Sequence, residues 1–337
     1  MSFLRKTPNL TLNSLSTLRR FATTLAVKPF PDDPTVAYYD DLVADAGSSG
    51  DFHALRDVLN KRIQDGFFNT KRTFSFITAT TFSTSLIDNI TATFSHLNEG
   101  ITRRNALDSL VTRLCKLRRV DDALRVIDSL ARDGVCAPTV CTFYPVLNLL
   151  TREKSMGHAR RVVDHMAGLG VGLDLTAHNF FLMAHCFAGD LEAAVGVLRR
   201  MEEEGMGEDA RTFDALVVGA CRAGKVEGAM MVVRRMVDDG VPMLYSTHMS
   251  VIGALLKMKS HELAVRYVRS FVGKDEKLDA ELLGCLASKL VNLKMGKVAL
   301  SILEEMNQRG LPMGYKLKKF YEENGGNENG ARVDGVV

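Results

Sequence analysis

Alanines Ala159, Ala194, Ala229, Ala264 and Ala299 follow one another at steps of 35 residues, and Ala123 stands 36 residues before the first. Met166, Met201 and Met236 keep the same 35-residue step, and Met306 falls two steps later. Gly170, Gly205, Gly240 and Gly310 do likewise. A fixed period in this range restricts the chain to an array of small stacked units. Such an array presents an extended surface and has few places for a closed catalytic pocket.

The unit is legible in residues 176–210, TAHNFFLMAHCFAGDLEAAVGVLRRMEEEGMGEDA. An apolar run around Phe181, Leu182 and Cys186 ends at Ala188-Gly189-Asp190. Leu191, Ala194, Val195, Leu198 and Met201 then recur at helical spacing. Gly205 stands where a helix end needs a left-handed residue. Each unit is therefore expected to be two antiparallel helices, with the alanine where two helices approach closely. Alternating strand patterns are absent, and no Asn-Gly pair occurs before Asn324-Gly325. The expected class is all-α.

Residues 106–135, ALDSLVTRLCKLRRVDDALRVIDSLARDGV, and 209–241, DARTFDALVVGACRAGKVEGAMMVVRRMVDDGV, resemble the pentatricopeptide repeat. The tetratricopeptide repeat, of period 34, prefers an early Trp, and this chain has none. The resemblance implies a right-handed α-solenoid of about eight 35-residue helix-turn-helix repeats over residues 37–315. The register places units at 37–71, 72–104, 105–140, 141–175, 176–210, 211–245, 246–280 and 281–315. The second unit is degenerate, crowded with Thr78, Thr80, Thr81, Ser83, Thr84 and Ser85. A distorted or partly open helix pair is expected there.

The first 30 residues hold no Asp or Glu, but include Arg5, Lys6, Arg19, Arg20 and Lys28. This is the composition of an organelle transit peptide. Arg19-Arg20-Phe21-Ala22 resembles a mitochondrial processing site, which favours a mitochondrial over a plastid destination. The apolar stretch is too short and too charged to span a membrane. Asp32-Asp33-Pro34 marks a linker. Residues 316–337, with Asn324-Gly325-Gly326-Asn327 at their centre, are expected to be a disordered tail. The deaminase-like motifs of the family's editing members, His-x-Glu and Cys-x-x-Cys, are absent, so the chain looks like a P-type member made of repeats alone.

The chain carries 43 basic and 40 acidic residues; removing the five basic residues before residue 31 leaves 38 against 40. Phosphate neutralisation supplies most non-specific nucleic-acid affinity, so RNA attraction must come from a local stripe. Candidates are Arg113, Lys116, Arg118, Arg119, Arg222 and Lys225, near the ends of first helices. Cations at helix C-termini also serve the helix dipole. Cys115, Cys186 and Cys221 share one position in their units and read as a small core slot. Cys136 and Cys141 lack a second pair to complete a zinc site. No phosphate-binding loop, nucleophile elbow or dinucleotide fingerprint occurs. No enzyme activity, metal, cofactor or small-molecule substrate is expected.

The family resemblance implies that the fifth and last residues of each unit read one RNA base. Counted from the residue preceding each unit, the fifth residues are Asp40, Ser75, Asp108, Tyr144, Asn179, Asp214, Met249 and Gly284. The last residues, where the register is clean, are Thr139, Asp174, Asp209, Leu244, Asp279 and Gly314. Asn179 with Asp209 is a familiar pair that favours uracil. Asp108 with Thr139 and Asp214 with Leu244 put carboxylates where an amide or hydroxyl is expected. Two functions follow. One is an organellar protein that holds single-stranded RNA in its groove and supports RNA stability, processing or translation. The alternative is a structural or assembly subunit of a ribonucleoprotein such as the mitochondrial ribosome, docking rRNA and ribosomal proteins with little sequence reading.

Overall fold

The structure, a computed structural model, describes residues 34–325. The expected transit peptide and the residues beyond Gly325 lie outside them. Among the described residues the chain is all-helical, with sixteen helices. They form two compact units divided inside one helix, the first ending at Val146 and the second beginning at Leu147.

The first unit holds α1 (Val36–Ser49), α2 (Phe52–Gln64), α3 (Thr84–Ser95), α4 (Ile101–Lys116), α5 (Val120–Arg132) and the start of α6 (Val140–Arg152). The second continues α6 and adds α7 (Met156–Gly168), α8 (Leu175–Ala188), α9 (Leu191–Glu203), α10 (Ala210–Arg222), α11 (Val226–Asp238), α12 (Tyr245–Lys257), α13 (His261–Arg269), α14 (Glu276–Asn292), α15 (Gly296–Gln308) and α16 (Tyr315–Asn324). Each repeat but the second is a helix pair. In the second unit the first helices also pack serially, α8 on α10, α10 on α12 and α12 on α14.

The periodic residues explain this packing. Ala123, Ala159, Ala194, Ala229, Ala264 and Ala299 are all buried. Met166, Met201, Met236 and Met306 are buried in the second helices, and each such side chain contributes about 1.5–3 kcal/mol. Gly170, Gly205, Gly240 and Gly310 take φ values of 66–71°, a left-handed conformation that costs glycine little and lets the main chain leave the helix. Small size also sets contact distance. A β-carbon on Gly219 of α10 would lie 2.8 Å from that of Cys186 on α8, so these helices meet at van der Waals range only because Gly219 has none.

Three segments depart from the regular repeat. Residues 71–82 form turns in place of a first helix, leaving α3 as the only helix of that repeat. Local hydroxyl bonds replace the helix ladder: Thr81 Oγ1 donates to the Phe76 carbonyl at 2.7 Å, and the Thr78 amide donates to Thr81 Oγ1 at 2.7 Å. Threonine and serine hydroxyls compete with helix in this way. α14 begins at Glu276, ahead of the register, because Asp275 caps it by accepting from the Leu278 amide at 2.9 Å. The third departure corrects an expectation. Residues 316–324 belong to helix α16, whereas the sequence predicts a disordered tail from 316. Leu317, Phe320 and Tyr321 lie at helical spacing and pack partly buried against the last core cluster, which supplies the apolar contact a disordered segment lacks.

Candidate nucleic-acid interface

Asn179 and Asp209, the pair singled out by the sequence, are in contact. The Asn179 amide Nδ2 donates to Asp209 Oδ1 at 2.9 Å. Asp209 caps α10, accepting from the amides of Thr212 at 2.8 Å and Arg211 at 3.0 Å. Thr212 Oγ1 donates to Asn179 Oδ1, also at 2.9 Å. Both polar atoms of the Asn179 amide are thus partnered within the protein, and the residue is 6% exposed. One N–H and one lone pair of the amide stay uncommitted by these bonds. Burial pushes the Asp209 carboxyl up, but the bonds from Thr212, Asn179 and Arg211 outweigh it and hold its pKa below the ordinary value.

The other fifth-position acids also bond within the protein. Asp108 accepts from Thr142 Oγ1 at 2.7 Å, three residues beyond Thr139. Asp214 accepts from Thr247 Oγ1 at 2.7 Å and from Ser246 Oγ at 2.9 Å, beyond Leu244. In the first repeat, Asp40 accepts from Thr73 Oγ1 at 2.9 Å, Thr70 Oγ1 at 2.8 Å and Arg62 Nη1 at 2.7 Å. One relation covers all four: the fifth residue of a repeat bonds the third residue of the next. Thr73, Thr142, Thr212 and Thr247 fill that third position and are fully buried. Where the third residue is Ala106, Ala177 or Leu282, the preceding fifth residue is Ser75, Tyr144 or Met249. Reading the two columns together would have exposed this coupling in the sequence.

The remaining predicted readers are dispersed in role. Thr139 donates its amide to Thr142 Oγ1 at 3.2 Å. Tyr144 is half-buried in α6. Asp174 caps α8, accepting from the Ala177 amide at 2.9 Å. Leu244 occupies the N-cap of α12 with no side-chain bond to give. Asp279, drawn into the first turn of α14, pairs with Arg309 and accepts from the Gly273 amide.

The predicted cations divide in the same manner. Arg113 is structural: its guanidinium donates to the Ile77 carbonyl at 2.7 Å and the Ser75 carbonyl at 3.1 Å, holding the turn segment. Lys116 is exposed, with its Nζ 3.4 Å from the Lys71 carbonyl. Partial burial, then the charges of Arg113 and Lys71, lower its pKa. Arg119 pairs with Asp122 at 2.7 Å and lies 4.0 Å over the Phe82 ring. Lys225 is exposed at the N-cap of α11.

Arg222 opens onto a pattern the sequence reading missed. It lies 4.6 Å over the ring of Phe187, an arrangement attractive between a cation and a π face. Arg152, Phe187, Arg222 and Lys257 are spaced by 35 residues at the C-terminal ends of α6, α8, α10 and α12, and all four are exposed. Phe187, Arg222 and Lys257 line a concavity of ≈ 560 Å³ with Gly189, Ser250 and Gly253. In the second unit the turns inside the repeats carry Lys154, Lys225, Lys259 and Lys294 against Glu153 and Asp190. The turns between repeats carry Asp174, Glu204, Glu208, Asp209, Asp239 and Asp275 against Lys274 and Arg309. The second unit therefore holds charge of opposite sign at its two kinds of turn.

Cysteine and histidine chemistry is absorbed by packing. Burial pushes the Cys115 thiol up to about 12 and Cys186 up to about 11, far from a reactive thiolate. His178 and His185 are buried beside separate carboxylates, Glu204 at 3.1 Å and Asp190 at 3.5 Å. Among the described residues no group of three His, Cys, Asp or Glu side chains is placed to hold a metal ion. No described helix is long and apolar enough to cross a membrane.

Comparison with known proteins follows the same lines. Residues 79–201 match the family model described as "Pentatricopeptide repeat-containing protein", and residues 211–241 match "PPR repeat". A mitochondrial pentatricopeptide repeat-containing protein of Arabidopsis thaliana is 46% identical over 297 residues, covering 87% of this chain and 84% of that protein. A second such Arabidopsis protein is 44% identical over 306 residues, covering 91% and 86%. Among solved structures, the pentatricopeptide repeat protein PPR10 in complex with an 18-nt psaJ RNA element aligns with a TM-score of 0.45 and 17% identity. That alignment covers 94% of this chain, which spans 49% of PPR10. The repeat domain of Arabidopsis protein-only RNase P 1, in complex with tRNA, aligns at 0.39 and 17%, covering 55% of this chain and 98% of that one.

Proposed function

The chain belongs to the pentatricopeptide repeat family, and from that premise we propose that it binds single-stranded RNA, chiefly through the phosphate backbone. The observation that carries this reading is the row Arg152, Phe187, Arg222 and Lys257. Cations neutralise phosphates and release counterions; an exposed aromatic face stacks a base of any identity, for about 1–3 kcal/mol. The charge difference between the two kinds of turn supplies the local field that a nearly neutral body otherwise lacks.

Base reading contributes little. Asp108 spends one carboxylate oxygen on Thr142, and Asp214 spends both on Ser246 and Thr247. Only Asn179 with Asp209 keeps the amide chemistry that favours uracil. One such contact discriminates by about 1–3 kcal/mol, too little to select one transcript. The protein acts by occupying RNA, without catalysis. Its setting is the mitochondrion: both relatives bear that designation, and the acid-free, arginine-containing first 30 residues suit an organelle import signal.

Commitment of the fifth-position acids to repeat packing also favours a second reading, residence in a ribonucleoprotein such as the mitochondrial ribosome, where position comes from neighbours. Sucrose-gradient fractionation of mitochondria, with and without RNase, tests both. Sedimentation with RNA that collapses on RNase treatment is expected. Co-migration with ribosomal subunits selects the second reading. A chain at the top of the untreated gradient contradicts both.

A further inference from the structure

The turn inside each repeat passes through one left-handed residue, and its identity is informative. In the second unit this position is Lys154, Gly189, Gly224, Lys259 and Lys294, with φ of 60°, 77°, 73°, 61° and 59°. The first unit adds Arg118 at 59°. Every non-glycine residue at positive φ among those described is one of these four, and all are basic. For an L-residue this conformation drives the β-carbon toward the following carbonyl, so glycine is the default and asparagine the usual exception. Gly189 and Gly224 show that the turn accepts glycine.

Neither the turn nor the helix end requires lysine here. The main chain builds the turn: the amides of Lys154, Lys259 and Lys294 donate to the carbonyls of Thr151, Leu256 and Val291 at 3.1, 3.0 and 2.9 Å. The dipole of the preceding helix is already met by a cation in its last turn, Arg152 in α6, Lys257 in α12 and Lys289 in α14. A strained backbone that recurs at one site, with one charge, points to use of the side chain. All three lysines are exposed, two residues beyond the row position held by Arg152 and Lys257.

We propose that Lys154, Lys259 and Lys294 form a second tier of phosphate contacts along the edge where the repeats turn, outside the row of Arg152, Arg222 and Lys257. This inference rests on the RNA-binding reading and deepens it. The ligand is the RNA backbone, gripped twice in the repeats where Lys154 and Lys259 follow Arg152 and Lys257, and once in the repeats of Arg222 and Lys294. The strained turn positions are retained for binding against the interest of the fold.

The test uses the full chain and a labelled oligouridylate, with affinity measured across a salt series. The variant Lys154→Gly/Lys259→Gly/Lys294→Gly is expected to bind roughly tenfold or more weakly, and its log K against log salt slope should fall by about 2, for three lost phosphate contacts on a single strand. Its melting temperature should hold or rise, since the strained residues are replaced by glycine. The converse variant Gly189→Lys/Gly224→Lys should bind more tightly with a steeper slope and melt lower. Unchanged affinity and slope in both variants, with the unmodified chain binding RNA, would overturn this inference alone. No RNA binding by the unmodified chain would overturn the functional reading and this inference together.

Discussion

Thr247 donates a hydrogen bond from its hydroxyl to the Asp214 carboxylate at 2.7 Å, from the third residue of one repeat to the fifth of the repeat before. Both side chains are buried. The bond recurs between Thr212 and Asn179, Thr142 and Asp108, and Thr73 and Asp40. A solenoid is held by nearest-neighbour interfaces, so these four bonds sit where its stability is set. They also occupy the side chains that the family resemblance assigns to base reading.

Breaking one bond should be costly because its partner stays buried. Asp214→Ala strands the buried hydroxyl of Thr247, and Thr247→Val removes one donor from a buried carboxylate. Each should destabilise by about 1–3 kcal/mol. The double variant should lose less than the sum of the two. Urea unfolding of the four proteins measures this; strict additivity would show that the bond contributes nothing.

The acids should respond to pH with opposite signs. Burial raises the Asp40 pKa, but bonds from Arg62, Thr70 and Thr73 and the Arg62 charge outweigh it, so the net shift is downward. A carboxylate with a depressed folded pKa adds stability above its unfolded value, near pH 4, and loses it as pH falls below. Asp108 is the reverse: burial raises its pKa, only partly offset by Thr142 and Arg104. The folded state then favours the protonated form, and the ionised form costs stability at neutral pH. Asp40→Asn should destabilise by about 3 kcal/mol at pH 7, because it leaves Arg62 buried without its counter-charge. Asp108→Asn should be neutral or stabilising at pH 7, and that advantage should shrink toward pH 3. Unfolding curves at the two pH values check both signs.

Close approach of α8 and α10 depends on Gly219. Gly219→Ala places a β-carbon 2.8 Å from Cys186 Cβ and 3.4 Å from its Cα, so the backbones must separate. Overpacking of this kind costs about 1–3 kcal/mol. Thermal unfolding should show the loss, and Cys186→Ala should rescue little of it, since the nearest contact remains.

The helical array was legible because burial repeats: the same alanine, methionine and glycine positions return every 35 residues, and each keeps its place in the structure. The missing first helix at 71–82 was foreshadowed by its run of hydroxyl residues. α16 was not, because its three packing residues, Leu317, Phe320 and Tyr321, are too few for a periodic signal and are followed by a glycine- and asparagine-rich stretch. Within the site, Asn179 with Asp209 emerged from the register together with the family resemblance. The threonine bonds did not, because they join residues 32 to 34 positions apart that look unremarkable one at a time, such as Asp214 with Ser246 and Thr247 or Asp108 with Thr142. Phe187 does not stand out beside the apolar run of Phe181, Leu182 and Cys186; its 43% exposure and the Arg222 stacked on it place it in the cation row.

The measurement that bears most directly on this account is the affinity of the full chain for two RNAs of equal length, one rich in uracil and one without it, across a salt series. Backbone binding with one reading pair predicts a steep salt dependence for both RNAs and a preference for the first of about 5- to 200-fold. That preference should vanish in Asn179→Ala, with the salt slope unchanged. Selection of one sequence over its scrambled counterpart by about 10⁴-fold or more, or affinity indifferent to salt, would contradict it.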